Sequence, residues 1–450
     1  MKHDIILINP WIYDFAAYDL WSKPLGLLYI AGRLRKSGFG VHFIDCMEIE
    51  HPGMKNKESG KSPVRRRYGT GKFWRQKIAT PEPLRHLSRP YSRYGLSPSI
   101  VAEELRKVER PSAILVTSLM TYWYPGAADV ISLVRDIHPK VPVILGGIYA
   151  RLCREHAEKF SGADHVVAKK DFSALLKVFE HHGIKARTKP SPHDTLTYPA
   201  FEMLRTRAYG CILTSSGCPY KCAYCASHFL DPEFKRRDPG EVLKEILYWR
   251  DLLGVRDFAF YDDALLVDSA RYLEVLLKQI KGLRLDLRFH TPNALHAREI
   301  TDGIARLMYE TGFRTIRLGL ETADFSFRKG LDSKISEGEF ETAVSCLLRA
   351  GFRNNQIGAY ILTGLPHQSA DSVLNTIELV KRAGAVPYLS EYSPIPHTAL
   401  WNDAVECSSY DLESEPLFQN STLLPCWDEA KKKGLPFIKK SVLEVRQRYR

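Results

Sequence analysis

From Ile5 onward, short β-branched runs alternate with stretches of helical period. Ile5–Asn9, Val41–Asp45, Ala113–Ser118, Pro142–Leu145 and His165–Val167 read as strands. Leu25–Ser37, Val101–Arg110, Ala127–His138, Arg151–Phe160 and Phe172–His181 read as the helices between them. This alternation predicts an α/β, doubly wound, Rossmann-like parallel sheet over residues 1–182. Residues 183–204, with Pro190, Pro192 and Pro199, carry no periodicity and read as a linker. A second series follows over 205–400, with strands at Arg207–Leu213, Asp257–Tyr261, Leu285–His290, Thr315–Leu320, Gln356–Leu362 and Val386–Glu391. Six β-α units fall short of the eight that close a barrel, so the expectation is a partial (β/α)6 TIM-type barrel. Residues 401–450 are a C-terminal extension with no interpretable motif.

Composition narrows the class. The chain has 450 residues, 44% hydrophobic and 26% charged, which excludes a disordered chain or a small disulfide scaffold. Nine cysteines, an odd and sparse set, read as reduced thiols of a cytoplasmic protein, and no apolar run approaches a membrane span. The net charge of +12 is local: residues 51–98 hold twelve Lys or Arg against Glu58 and Glu82. There the cations interleave with Tyr68, Phe73, Trp74, Tyr91 and Tyr94, a composition compatible with single-stranded nucleic acid. Gly60-Lys61-Ser62 imitates the tail of a phosphate loop, but Lys55 stands where that loop needs its first glycine. The segment leaves the end of the second strand, so a lid or substrate-binding role ranks first, a solvated insertion second and RNA binding last.

The chemistry gathers at the C-terminal ends of the second series of strands, the face where such barrels build active sites. Cys218, Cys222 and Cys225 follow its first strand, Asp262 and Asp263 the second, Asn293 the third and Glu321 the fourth. Thr363–Pro366 follow the fifth and Pro394–His397 the sixth. Cys218-Pro-Tyr-Lys-Cys222-Ala-Tyr-Cys225 offers three soft thiolates from one loop, which suits an iron-sulfur cluster. A zinc site completed by Cys211 or His228 is the alternative.

The CxxxCxxC spacing, with Tyr224 before the last cysteine, resembles the radical S-adenosylmethionine (radical SAM) superfamily. The resemblance implies a 4Fe-4S cluster on Cys218, Cys222 and Cys225, with S-adenosylmethionine bound at its open iron and cleaved to a 5′-deoxyadenosyl radical. Asp262 and Asp263 are similar to the motif that meets the methionine amino group, and Glu321 to the one that meets the ribose. Gly364 and Pro366 resemble the turn that lets backbone approach adenine. Two departures are Gln368, where an acidic residue is frequent, and His397, where glycine is frequent. No catalytic acid or base is singled out.

The N-terminal domain resembles the cobalamin-binding domain fused to such barrels, in which Ser118 and, 28 residues on, Gly146-Gly147 flank the cofactor's buried tail. The Asp-x-His-x-x-Gly motif is absent, and Trp11–Lys23 contain no histidine to ligate cobalt from below. The resemblance implies methylation of an unactivated carbon on a small-molecule or peptide substrate, with an external electron donor such as flavodoxin or ferredoxin. A cobalamin-containing radical SAM rearrangement or cyclisation, and a zinc-bearing RNA-binding or scaffold protein, are the competing readings.

Overall fold

The computed structural model describes residues 3–57, 62–169, 171–188 and 198–449. They form two units: the chain up to Ala208 together with Ser414–Phe418, and Tyr209–Glu413 with the remainder of the C-terminus.

In the first unit β1 (Asp4–Asn9), β2 (Gly40–Asp45), β3 (Ala113–Val116), β4 (Val143–Leu145) and β5 (His165–Val166) form a parallel sheet ordered β5-β4-β3-β1-β2. Ile5, Ile6, Leu7 and Ile8 are all fully buried, which explains the unbroken apolar run: a central parallel strand is covered on both faces. On one face Leu27, Leu34, Phe179 and Ile144 close the core. The strand order reverses between β1 and β3, so ligands are expected beyond the C-terminal ends of these strands. The helix Phe172–His181 has the bounds its periodicity predicts, and Asp171 caps it by accepting from Ser173 N at 2.9 Å.

Two expectations change here. Residues 183–204 are not a free linker at their described ends, because Ile184 and Ala200 are buried in the sheet's core and Phe201–Met203 form a helical turn. Pro190 and Pro192 lie outside the described residues, as do Gly60 and Lys61 of the phosphate-loop imitation. The basic segment is not a solvated insertion either. Arg75–Lys77 and Ser92–Tyr94 join Ile12–Asp14 in an antiparallel sheet. Phe73, Trp74, Tyr91 and Tyr94 are buried: Phe73 and Tyr94 pack with Ile12, Met47 and Ile49, and Trp74 donates to Ile49 O at 2.9 Å. Arg66, Arg67, Lys72, Arg75, Lys77, Arg85 and Arg89 stay exposed. Four of the five rings that suggested base stacking are buried, while Tyr68 is half-buried and most of the charge is outside.

In the second unit β6 (Gly210–Ile212), β7 (Asp257–Phe260), β8 (Arg288–His290), β9 (Phe313–Glu321), β10 (Ile357–Thr363) and β11 (Val386–Glu391) pair in parallel in chain order, as a partial barrel does. Its interior is aromatic: Phe258, Phe260, Phe289 and Phe313 are buried, with Phe260 stacked on Phe313 at 5.7 Å. The intervening helices are capped at their starts by Asp238, Thr301 and Ser369. The C-terminal extension covers this unit, since helix Leu435–Arg448 lays Arg446 over Tyr388 of β11 and Lys439 pairs with Glu391 at 2.7 Å. Among the described residues no helix is long and apolar enough to cross a membrane.

Candidate functional site

The cysteine loop leaves β6 through Gly217, whose φ is +72°. A Cβ there would stand 2.5 Å from Glu233 O, so only glycine lets the loop fold this closely on the next segment. Its midpoint is fixed by two backbone hydrogen bonds, Ala223 N to Leu331 O at 2.7 Å and Leu400 N to Ala223 O at 2.9 Å. The loop is therefore held from the segments after β9 and β11. Cys218, Cys222 and Cys225 are half-buried and outside any disulfide. Burial pushes the Cys222 thiol up to about 11 and raises Cys218 as well. Cys225 Sγ donates to Ser227 Oγ at 3.2 Å, and Ser227 donates to Asp263 at 2.9 Å.

The paired aspartates part company. Asp263 is exposed beside the loop, whereas Asp262 is buried and accepts from Thr214 N, Thr214 Oγ1 at 2.7 Å and Ser215 Oγ at 2.6 Å. The carboxylate of Asp262 thus braces the segment that launches the cysteine loop. Asn293 is exposed and donates to Tyr261 O at 2.8 Å.

Behind the loop lies a set of charges. A bulge between Gly319 and Glu321 carries Glu321 to φ +61°, where its buried carboxylate accepts from Lys334 Nζ at 2.7 Å. Lys334 stands 5.4 Å over the Tyr224 ring, whose hydroxyl reaches Asp332 at 3.4 Å. Arg328 holds Asp332 at 2.9 Å and also donates to Leu320 O and Thr322 O.

At the fifth strand, Gly364 has φ +100° and a Cβ there would meet Leu424 at 2.6 Å. Gln368 explains its own departure. Its Oε1 accepts from Gly364 N and Leu365 N at 2.9 and 3.2 Å, and its Nε2 donates to Leu362 O at 2.9 Å, which a carboxylate could not do. Pro366 completes this buried turn, and Thr363 keeps a buried hydroxyl without a hydrogen-bond partner among the described residues. His397 sits at φ +66°, which accounts for glycine being frequent there, and stacks on Phe229 at 4.1 Å.

In the first unit Ser118 and the paired glycines close on each other. Ser118 Oγ donates to Gly146 O at 2.7 Å, and a Cβ on Gly147, at φ +99°, would be 2.2 Å from Ser118 O. Gly147 is thus required by Ser118, without invoking a ligand. Gly146 differs: a Cβ there meets only Val167 O, at 3.8 Å.

The sequence model of the radical SAM superfamily matches residues 212–380, and that of the B12 binding domain matches residues 96–178. The chain thus carries a radical SAM domain and a B12-binding domain. It is 23% identical over 349 residues to an uncharacterized methyltransferase of Pyrococcus horikoshii, covering 69% of this chain and 74% of that one. It is 22% identical over 381 residues to the cytidylyl-2-hydroxyethylphosphonate methyltransferase of Streptomyces wedmorensis, covering 71% and 65%. In fold it is similar to the radical S-adenosylmethionine methyltransferase TsrM from Kitasatospora setae, solved with cobalamin and a 4Fe-4S cluster, at TM-score 0.68 and 14% identity over 99% of this chain and 89% of that chain.

The residues of the radical SAM domain fit a cluster by their chemistry. Among the described residues no three His, Cys, Asp or Glu side chains gather as they would around one metal ion. Of the other candidate ligands, Cys211 is buried in β6 and His228 is exposed. Three thiols on one clamped, half-buried loop suit a larger inorganic core with three attachment points. The orphaned Thr363 hydroxyl and exposed Asp263 suit a polar ligand on the same face. In the B12-binding domain, Gly146 is not crowded by its own neighbours, since a Cβ there meets only Val167 O at 3.8 Å. Sequence reasoning missed Lys334, Arg328 and Asp332; Arg328 and Asp332 have i, i+4 spacing, but nothing local singles out Lys334.

Proposed function

We propose that this protein is a cobalamin-dependent radical SAM methyltransferase acting on an unactivated carbon of a small molecule or peptide. The observation that carries this reading is the three-thiol loop, clamped at the C-terminal face of a parallel partial barrel. The TsrM structure with tryptophan and a SAM analogue supports a small-molecule substrate by analogy.

When bound, the cluster delivers one electron that cleaves S-adenosylmethionine, and cobalamin carries the methyl group. Cys218, Cys222 and Cys225 hold the cluster, and an external donor of the flavodoxin or ferredoxin class supplies the electron. Asp263 offers an exposed carboxylate to the methionine ammonium, and Asp262 keeps the loop's root rigid. Tyr224 lines the inner side of the loop against Lys334. Glu321 accepts from ribose hydroxyls, while the turn at Gly364 and Pro366 gives adenine a backbone edge. Ser118 fixes the position of Gly146 and Gly147, and Gly146 leaves room for the cofactor's tail. Trp11–Lys23 contain no histidine, so this loop would offer a bound cobalamin no such ligand. The reduced thiols fit a cytoplasmic setting.

The test is product analysis with methyl-labelled S-adenosylmethionine, cobalamin-loaded enzyme and a small-molecule extract of the source cells. A product carrying the label on a carbon-bound methyl group is the expected result. A product formed without label would replace methyl transfer by rearrangement or cyclisation.

A further inference from the structure

The charge of residues 62–98 has almost no counterpart of its own. Glu82 is the single carboxylate in that stretch, and of its cations only Arg65 has an ion-pair partner among the described residues, Asp19 at 2.5 Å. Arg66, Arg67, Arg75, Lys77, Arg85 and Arg89 are exposed and have none there. Like charges gathered on one segment repel each other, so the set destabilises the fold that carries it.

The small antiparallel sheet that holds Arg75 and Lys77 is open on their side. Ser92–Tyr94 is its middle strand, Ile12–Asp14 lies at one edge and Arg75–Lys77 at the other. Gly95 N donates to Trp74 O at 2.9 Å and Ile78 N to Tyr91 O at 3.1 Å, so residues 74, 76 and 78 turn their backbone groups toward the middle strand. By the period of two, the N–H and C=O groups of Arg75 and Lys77 face outward, and among the described residues nothing pairs with them. The side chains of Arg75, Gln76 and Lys77 are all exposed. Arg75 and Lys77 stand about 7 Å apart on one face of the strand, the repeat of alternate side chains in any strand laid beside it.

We infer that the edge Arg75–Lys77 is a docking site for an extended acidic segment of a partner polypeptide, which adds to the sheet as a fourth strand and sets carboxylates against the two cations. In strand addition the main-chain hydrogen bonds give affinity and alternate side chains give selectivity. Opposite charges on paired strands attract, whereas a second copy of this edge brings cation against cation. The charge therefore favours an acidic partner over self-association. Nucleic acid suits the edge less well. It has no repeat of N–H and C=O groups to complete the ladder, and Phe73, Trp74, Tyr91 and Tyr94, four of the rings that could stack on bases, are buried. The edge also has a useful address: its sheet packs through Phe73 and Tyr94 on Met47, Ile49 and Trp123, which follow β2 and β3, on the side of the parallel sheet where ligands are expected.

The test is a fluorescence-anisotropy titration of the full chain with a labelled peptide of alternating Glu and Thr, about ten residues long. The wild type is expected to bind it, and the double variant Arg75→Gln, Lys77→Gln, its folding checked by urea unfolding, to bind it about tenfold more weakly. The same peptide with N-methylated backbone amides keeps every charge but loses its ladder donors, and is expected to bind the wild type about tenfold more weakly as well. A single-stranded oligouridylate of equal net charge is expected to bind less tightly than the peptide. Failure of the wild type to bind the acidic peptide overturns the inference, as does an unchanged affinity in the double variant. Equal binding of the N-methylated peptide would leave charge attraction without strand addition, and tighter binding of the oligouridylate would make this a nucleic-acid surface; either result overturns the inference too.

Discussion

The strand-end loops of the two units use the same residue types to opposite ends. In the sheet of the B12-binding domain, Ser118 and Gly147 close on each other, while Gly146 is left uncrowded. In the radical SAM domain, Gln368 is spent on the backbone of its own turn and Asp262 on Thr214 and Ser215 of the neighbouring loop, while the three half-buried thiols and the exposed Asp263 lie nearer the surface. A polar residue or glycine at the end of a parallel strand is therefore weak evidence of ligand contact until its local partners are counted.

The largest effect should come from the paired glycines. Gly147→Ala places a side chain at positive φ against the Ser118 backbone and is expected to cost about 4 kcal/mol in urea unfolding. Gly146→Ala should cost less than about 1 kcal/mol, and Gly146→Leu should fold yet retain less cobalamin on gel filtration. Equal costs at the two glycines would break the contrast.

The basic segment sharpens the same distinction between what is enclosed and what faces out. Phe73→Ala removes a ring from the cluster with Ile12, Met47 and Tyr94 and is expected to cost about 3 kcal/mol. The double variant Arg75→Gln, Lys77→Gln should leave the unfolding midpoint unchanged, because both side chains are exposed. Asp262→Ala leaves Thr214 and Ser215 without their acceptor and should lower stability by about 2 kcal/mol. Asp263→Asn should leave unfolding unchanged and weaken S-adenosylmethionine binding in a calorimetric titration.

A pH-dependent effect concerns His296, whose ring is tilted against Tyr220 of the cysteine loop at 4.5 Å. Burial, aided by Lys334 and Arg298, pushes its pKa down to about 3. Above pH ~6.5, the ordinary histidine value, neither state binds a proton there and its contribution to stability is complete. As the pH falls below that, the unfolded chain takes up a proton that the fold excludes, and stability declines by about 1.4 kcal/mol per pH unit toward pH 3. Urea unfolding of the apo chain at pH 6 and 5 should show about 1 kcal/mol of this slope, absent in His296→Gln.

Much of this was legible in the sequence because it is local. Helix Phe172–His181 and strand Val386–Glu391 have the bounds their patterns predict, and the three cysteines are defined by spacing within eight residues. What stayed hidden depends on direction or distance. Asp262 and Asp263 are neighbours at a strand end and point to opposite sides, so one sequence motif covers two environments. Lys334 lies thirteen residues past Glu321 and reaches it only through the bulge and the turn after it. In the basic segment, composition shows rings among cations, and only the antiparallel pairing shows that the rings are inside.

The central claim is that Cys218, Cys222 and Cys225 hold a cluster, and the most direct measurement is iron content with the electronic spectrum of the anaerobically reconstituted chain beside its triple alanine variant. The account predicts about four irons per chain and an absorption near ~400 nm that the variant lacks. One tightly held zinc without iron, or the same iron and spectrum in the variant, would contradict it.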